Sequence, residues 1–259
     1  RASLVTADLL LILGAAFGAG IVDSMVGGGG LVQVPALFMV YPATPPAVLL
    51  GTNKLASIVG TSSAVLRFAR RVRIPWRTLL PLLPVVFLGG LAGALVATFI
   101  PPAVFRPLVP IMLAVVLVYV VARKDLGAAH APLALTRGTT LVAAVLLAVA
   151  GFYDGFFGPG TGSFIMLLLI RFYGFDFIHS AASARVLNVA ANAGGLVYFA
   201  SQLELLWLVG GLMAVANVSG ALLGSSLALR HGSAFVRRVF VAVVTVLIAR
   251  TAWDAYFTA

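Results

Sequence analysis

Runs of about twenty apolar residues recur along this chain, and they constrain its fold more than any other feature. Each run is long enough for an α-helix to cross a hydrocarbon layer about 30 Å thick. Hydrophobic residues make up 62% of the 259 residues and charged residues only 9%, whereas soluble domains carry roughly 25% charged residues. The run over 141–150 lacks the apolar–polar alternation of a transmembrane β-strand. The sequence therefore predicts an all-α polytopic membrane protein.

The net charge of +10 does not indicate a nucleic-acid partner. Most of the arginines fall in short loops between apolar runs, which is the charge pattern of membrane proteins with positive loops on the inside. The absence of cysteine excludes disulfides and thiolate metal sites, and no motif indicates a cofactor. Residues 1–20 are read as the first membrane segment, because no small-residue cleavage site and polar region follow them.

The chain matches itself when it is shifted by 131 residues without a gap. Small apolar residues match by chance in such a composition, but aspartate, tryptophan and basic residues match as well. The pairs are Ala19–Ala150, Gly20–Gly151, Asp23–Asp154, Gly27–Gly158, Gly29–Gly160, Lys54–Arg185, Trp76–Trp207, Gly89–Gly220, Gly93–Gly224 and Arg106–Arg237. This pattern predicts an internal duplication with repeats over 1–128 and 132–259.

Each repeat contains about five hydrophobic segments, and a glycine-rich break follows the first of them. The predicted segments are 4–26, 29–41, 47–69, 77–99 and 103–122 in the first repeat, and 134–157, 160–174, 178–200, 204–229 and 234–257 in the second. The second segment of each repeat is short. It is either a re-entrant half-helix, which gives six crossings in total, or a tilted span, which gives ten.

Loop charges predict that the two repeats have opposite orientations in the membrane. The loop 67–77 carries five arginines, whereas the equivalent loop 198–208 carries only Glu204. Conversely, 230–238 carries three arginines and 99–107 carries one. We therefore expect an inverted-topology repeat, with loops 67–77, 123–137 and 230–238 cytoplasmic and both termini extracytoplasmic. A parallel duplication with uneven loop charges is the alternative.

Two basic residues at equivalent positions are the first candidate site residues. Lys54 and Arg185 each lie about 10 Å into the third segment of their repeat. A charge at membrane depth costs at least ~2.5–3.5 kcal/mol and so calls for a reason. Each cation leads a polar stripe at helical spacing, and the stripes are Lys54, Ser57, Thr61 and Arg185, Asn188, Asn192. If the stripes converge, they surround a space suited to a small oxyanion. Alternatively, the cations extend to the headgroups or pair with aspartates.

Two equivalent aspartates precede the glycine-rich breaks. Asp23 comes before Gly27–Gly30, and Asp154 comes before Gly158-Pro-Gly-Thr-Gly162. A helix that starts after such a break presents unpaired backbone N–H groups, which attract anions in transporters. The aspartates could carry a proton or hold a cation until substrate arrives. The alternative is that the glycines allow close helix packing and that the aspartates cap helices.

These motifs resemble those of the TauE/SafE family, also called the 4-toluene sulfonate uptake permease family. The resemblance rests on Gly-Ala-Gly-Ile-Val-Asp-Ser-Met-Val-Gly-Gly-Gly-Gly at 18–30, Pro35, Leu-Gly-Thr-Asn-Lys-Leu at 50–55, Gly-Phe-Tyr-Asp-Gly-Phe-Phe-Gly-Pro-Gly-Thr-Gly at 151–162, and Ala-Ser-Ala-Arg-Val-Leu-Asn at 182–188. It implies secondary transport, often outward, of sulfite, a sulfonate or a related anion across the bacterial inner membrane. It also implies that the glycine-rich turns and the stretches around Lys54 and Arg185 line the pathway.

The leading hypothesis is therefore an alternating-access carrier, not an enzyme, in the lipid bilayer. Its expected substrate-binding residues are Lys54, Arg185, Asn53, Ser57, Thr61, Asn188, Asn192, Gly28, Gly29, Gly160 and Thr161, with Asp23 and Asp154 as candidates for proton coupling. An anion channel is the alternative. An intramembrane aspartyl protease fits less well, because neither aspartate lies in a Gly-x-Gly-Asp context. A homo-oligomer is left open.

The remaining conspicuous residues receive ordinary structural interpretations. Trp76 and Trp207 begin segments beside loops, and we expect both to anchor the chain at the membrane interface. His130, His179 and His231 lie near loops without the spacing of metal ligands, so no metal site is predicted.

Overall fold

The structure, a computed structural model, describes residues 2–99, 129–133 and 136–256, together with the single positions 114, 117 and 118. All regular secondary structure within these residues is helical. The helices are α1 (Ala2–Val26), α2 (Gly30–Val40), α3 (Pro46–Ala69), α4 (Trp76–Leu79), α5 (Leu83–Ala97), α6 (Arg137–Phe156), α7 (Thr161–Tyr173), α8 (Phe177–Gln202) and α9 (Trp207–Tyr256), with a 3₁₀ turn Leu80–Leu82 before α5.

The helices are apolar outside and polar inside, which is the distribution expected in lipid. Four of the described segments are long and apolar enough to cross a membrane: Ala7–Val26, Trp76–Ala97, Arg137–Phe156 and Trp207–Val246. Leucines such as Leu88 and Leu208 face outward, whereas Lys54 and Arg185 are buried. Because water could not solvate such an exterior, the chain is a multi-pass membrane protein.

The helix boundaries follow the predicted segments closely. Both glycine-rich breaks interrupt the chain where the sequence places them, and the short helices α2 and α7 follow them. Of the predicted segment 103–122 only positions 114, 117 and 118 are described, and Arg106 and the linker residues 123–128 lie outside the described residues.

The predicted segments 204–229 and 234–257 meet at a break within α9. Two helices join at Gly232, where the backbone is non-helical with φ 73° and ψ −172°. Glycine adopts a positive φ without a steric penalty. The loop predicted over 230–238 is thus shortened to this break, and its arginines lie on the helix ends that flank Gly232.

Helix α6 begins, and helix α7 ends, at the same end of the bundle. The backbone N–H groups of Ala131 and Leu133 donate to the carbonyl oxygens of Gly174 (3.0 Å) and Tyr173 (3.1 Å). Because α6 begins at Arg137, only four residues beyond Leu133, the start of α6 lies near the end of α7. The hairpin form of the short second segment fits this half better than a full crossing.

Long helices pack in two matching sets around the centre. Helix α1 packs along α9, and α6 packs along α5; α3 packs against α9, and α8 against α5. Helices α3 and α8 also contact each other, which brings the two polar stripes to the middle of the bundle. Glycines allow these contacts, because a methyl group on Gly93 or Gly224 would collide with the backbone of the neighbouring helix.

Candidate functional site

The two helix breaks place an aspartate beside each glycine turn. Gly27 (φ 86°) and Gly158 (φ 93°) adopt left-handed conformations that end α1 and α6. Asp23 and Asp154 lie four residues earlier, in the last turn of each helix. The carboxylates therefore sit at the interior ends of their helices.

Lys54 and Asp154 form a short, buried ion pair. Lys54 Nζ lies 2.7 Å from Asp154 Oδ2, and both side chains are less than 5% exposed. The same ammonium donates to the Asp154 carbonyl oxygen at 2.6 Å, and Asn188 Nδ2 donates to Asp154 Oδ1 at 3.3 Å. Both charges are thus hydrogen-bonded within one network that joins α3, α6 and α8.

Arg185 and Asp23 form a looser pair. The Arg185 guanidinium is fully buried, and its Nη1 lies 3.8 Å from Asp23 Oδ2. Asp23 instead accepts hydrogen bonds from Thr61 Oγ1 (3.1 Å) and the Gly29 backbone N–H (3.4 Å). None of the three guanidinium nitrogens of Arg185 has a hydrogen-bond acceptor among the described residues. A buried guanidinium with unused donors is costly, so this position is suited to an incoming acceptor.

The two glycine-rich breaks cross each other in backbone contact. A Cβ on Gly162 would lie 2.5 Å from Gly27 Cα and 2.8 Å from Arg185 Nη2. At the crossing, Ser163 Oγ donates to the Val26 carbonyl oxygen at 2.7 Å. The break of one half therefore lies directly against the break of the other.

A small cavity lies between the breaks and the polar stripes. Its volume is about 20 Å³, which is room for roughly one water molecule. Eight of the predicted site residues line it: Asp23, Asn53, Lys54, Ser57, Asp154, Gly160, Asn188 and Asn192. Five others lie outside the lining: Gly28, Gly29, Thr61, Thr161 and Arg185. Arg185 reaches the edge of this cavity through its contacts with Asp23 and Gly162.

The sequence of the chain is similar to a known family of membrane proteins. The family model described as "Sulfite exporter TauE/SafE" matches residues 12–251. The chain belongs to the TauE/SafE family.

Curated relatives of this TauE/SafE chain carry names of the same kind. It is 36% identical to the "Probable membrane transporter protein ORF9" of a Sinorhizobium species, over 95% of this chain and 93% of the relative. A "Probable membrane transporter protein" of Haemophilus influenzae is 35% identical over 95% and 96% of the two chains. "Probable membrane transporter protein YfcA" of Escherichia coli K12 is 34% identical over 92% and 87%. No solved structure matches the chain significantly.

Family membership makes the protein a membrane transporter and not an enzyme. The aspartyl protease hypothesis is therefore set aside. The geometry agrees, because each aspartate faces a cation of the opposite half, whereas such proteases need two carboxylates that share a proton.

Sequence reasoning gave no individual role to several residues that this TauE/SafE chain buries. Gly162 and Ser163 form the crossing of the breaks, and only their place at the end of the second glycine motif could have indicated this role. Asn217 Nδ2 donates to Gln33 Oε1 at 3.2 Å between α9 and α2, and Gln33 Nε2 has no acceptor among the described residues. Their positions, 184 residues apart in the chain, gave no signal of a contact.

The structure brings together two histidines that are distant in sequence. His130 stacks on His179 with ring centroids 3.7 Å apart, and His179 Nδ1 lies 2.8 Å from Asp176 Oδ1. Asp176 also caps α8 by accepting from the His179 backbone N–H at 2.7 Å. Burial, with the nearby His179, lowers the pKa of His130 below its ordinary value. His130, Asp176 and His179 each offer one ligand atom, and these atoms lie within 4.8 Å of one another. The three side chains could therefore hold a metal ion, which the spacing of the histidines in the sequence did not indicate.

Proposed function

We propose that this chain is a secondary transporter that exports a small sulfur-containing oxyanion across the bacterial inner membrane by alternating access. The observation that carries this proposal is the Arg185 guanidinium, which is fully buried and has no hydrogen-bond acceptor among the described residues. A planar guanidinium binds two oxygens of an oxyanion at once, and the bond is strong where water is excluded. Sulfite and sulfonate groups offer oxygens in this arrangement.

The charges around the site support a change of ion-pair partners when the substrate binds. Lys54, Arg185, Asp23 and Asp154 have a formal sum of zero. An arriving anion adds negative charge, so it favours protonation of a carboxylate or its separation from the neighbouring cation. Asp23 is the better candidate, because it lies 3.8 Å from its cation and is 17% exposed, whereas Asp154 is held at 2.7 Å. This arrangement supports coupling of transport to proton movement.

The size of the central cavity supports a carrier over an anion channel. Its volume of about 20 Å³ holds roughly one water molecule and therefore no sulfonate. Substrate reaches Arg185 only if the surrounding helices move apart, and alternating access consists of such movements. A channel would instead need a continuous open path.

Equivalent contacts in the two halves support the inverted-repeat architecture. Lys54 of the first half pairs with Asp154 of the second, and Arg185 of the second half faces Asp23 of the first. The helix packing follows the same rule. The α1–α9 contact becomes the α6–α5 contact when each helix is replaced by its equivalent in the other half. With the arginine-rich loop 67–77 on the cytoplasmic side, we propose that both termini are extracytoplasmic.

The sulfur-containing substrate class is supported by the printed description of the family, "Sulfite exporter". The test is flux into proteoliposomes that contain the purified full-length chain, with sulfite, a short alkyl sulfonate, sulfate and phosphate supplied separately. We expect saturable transport and counterflow with sulfite or the sulfonate. We also expect loss of transport in Arg185→Gln and wild-type rates in Arg137→Gln, which removes an exposed arginine. Unsaturable flux would indicate a channel, and wild-type flux in Arg185→Gln would refute the proposed site.

A further inference from the structure

A second, much larger cavity lies at one end of the bundle. It has a volume of about 920 Å³, opens to the surface, and is lined by the end of α3, the loop after it, the start of α8 and the part of α9 just before Gly232. Six of its lining residues are basic: Arg67, Arg70, Arg71, Arg73, His179 and Arg230. No residue that lines this basic cavity lines the small central cavity.

The basic cavity concentrates positive charge, and the carboxylate that contacts its lining residue His179, Asp176, lies outside the lining. No aspartate or glutamate is among the described residues that line it. Five guanidinium groups around one space repel each other, so an anion between them lowers the free energy of the folded state. The equivalent loop of the other half, 198–208, carries no arginine or lysine, so this feature is not shared by the two halves.

The arginine segment also borders the lipid-facing surface. A neighbouring cavity of about 460 Å³ shares Arg70, Arg71 and Arg73 with the basic cavity and has Trp76 in its wall. Trp76 is 44% exposed, and Leu66, one helical turn before Arg70, is 66% exposed. An exposed tryptophan beside exposed leucine and arginine marks the headgroup layer of a membrane.

We infer that the basic cavity binds the phosphate-bearing headgroup of an anionic phospholipid. Basic pockets between transmembrane helices at headgroup depth attract such lipids. The arginines supply paired donors for phosphate oxygens, the adjoining apolar surface accommodates the acyl chains, and the two cavities that share one arginine wall can receive two phosphate groups.

The transport substrate is a weaker candidate for this cavity. A small oxyanion would fill only a fraction of 920 Å³. His179 lies six residues before Arg185 on α8 and hence about 9 Å from it along the axis, so the two sites are separate. The lipid site does not depend on the proposed transport function.

The test uses the purified full-length chain in a neutral detergent. Its thermal unfolding midpoint and its lipid retention in native mass spectrometry are measured with added cardiolipin, phosphatidylglycerol or phosphatidylcholine. Parallel samples receive inorganic phosphate, glycerol phosphate or sulfite. We expect the two anionic lipids to raise the midpoint and to remain bound, and phosphatidylcholine and the soluble anions to do neither.

The decisive variant is Arg70→Gln/Arg71→Gln/Arg73→Gln, because these exposed side chains border both cavities. We expect its affinity for anionic lipid to fall on the order of a hundredfold. The matched control, Arg77→Gln/Arg137→Gln/Arg238→Gln, removes the same charge outside both cavities and should bind lipid as the wild type does. Equal losses in the two triple variants would refute a defined site. Stabilisation by sulfite or free phosphate as strong as that by lipid would show that the cavity is instead a vestibule for soluble anions.

Discussion

The two central ion pairs occupy equivalent positions but differ in how well they are satisfied. Lys54 and Asp154 are 2.7 Å apart, and the carboxylate also receives Asn188. Arg185 and Asp23 are 3.8 Å apart, and the guanidinium has no hydrogen-bond acceptor among the described residues. A buried pair that is fully bonded resists separation, whereas a buried cation with free donors favours a new partner. We therefore propose a structural role for the lysine pair and an anion-binding role for Arg185.

The largest expected effect comes from breaking the tight pair. Lys54→Met leaves the Asp154 carboxylate buried without its cation, which should destabilise the protein by about 3–5 kcal/mol. Unfolding of the purified protein, followed by thermal or denaturant titration, measures this loss. The double variant Lys54→Met/Asp154→Asn removes both charges and should recover most of the stability. If the double variant is no more stable than the single one, the pair is not the source of the effect.

Removing the loosely paired cation should affect transport more than stability. Arg185→Gln deletes two charge-assisted hydrogen bonds to the proposed anion, which corresponds to roughly a hundredfold loss of affinity. Asp23 keeps Thr61 and Gly29 as donors, so the unfolding midpoint should change little. Sulfite flux and thermal unfolding, measured on the same preparation, check the expected effects on transport and on stability. A collapse in stability comparable to that of Lys54→Met would contradict the proposed difference between the pairs.

The crossing of the breaks should tolerate no added side chain. In Gly162→Ala the new methyl group would meet Gly27 Cα and Arg185 Nη2, and such overpacking costs about 1–3 kcal/mol. Gly211→Ala is the matched control, because a Cβ there has no neighbour within 4 Å. We expect the control to be neutral or slightly stabilising, since alanine favours helix. Thermal unfolding compares the two, and equal midpoints would contradict a tight crossing.

The smallest expected effect concerns the coupling of transport to protons. Asp23→Asn keeps one side-chain oxygen for the Gly29 backbone N–H, and its amide nitrogen can donate to Thr61 Oγ1. It removes the carboxylate beside Arg185. Anion binding should become severalfold tighter, because the competing carboxylate is gone, and transport should lose its dependence on an imposed pH gradient. Calorimetric binding and flux with and without the gradient measure these changes. Gradient dependence that persists in Asp23→Asn would move the coupling role to another group.

Local patterns made most of the helices predictable from sequence. Glycines at 27 and 158 stop their helices through left-handed conformations, and apolar runs set the helix lengths, so both breaks and the short helices after them were anticipated. The boundary between segments 204–229 and 234–257 was also anticipated, and it falls at Gly232, although the expected loop over 230–238 is reduced to a break between two helices. Loop charge is evidence about membrane side and not about the length of the connection.

The sequence predicted which residues form the site, but it predicted less well which cation pairs with which aspartate. Repeat equivalence and helical spacing identified Lys54, Asp154, Arg185 and Asp23, and the sequence left open whether the cations pair with the aspartates. That each cation faces the aspartate of the other half depends on how α3 and α8 pack, which no local pattern encodes. The same limit applies to His130 and His179, because the stacking of their rings depends on the docking of a linker.

The contact between Gly27 and Gly162 has a mechanical consequence. Two chain reversals touch through their backbones, and Ser163 is bonded to Val26 across them, so neither reversal can shift without moving the other. If transport proceeds by the proposed alternating access, we expect the two reversals to move together, so that the site opens towards one compartment as it closes towards the other.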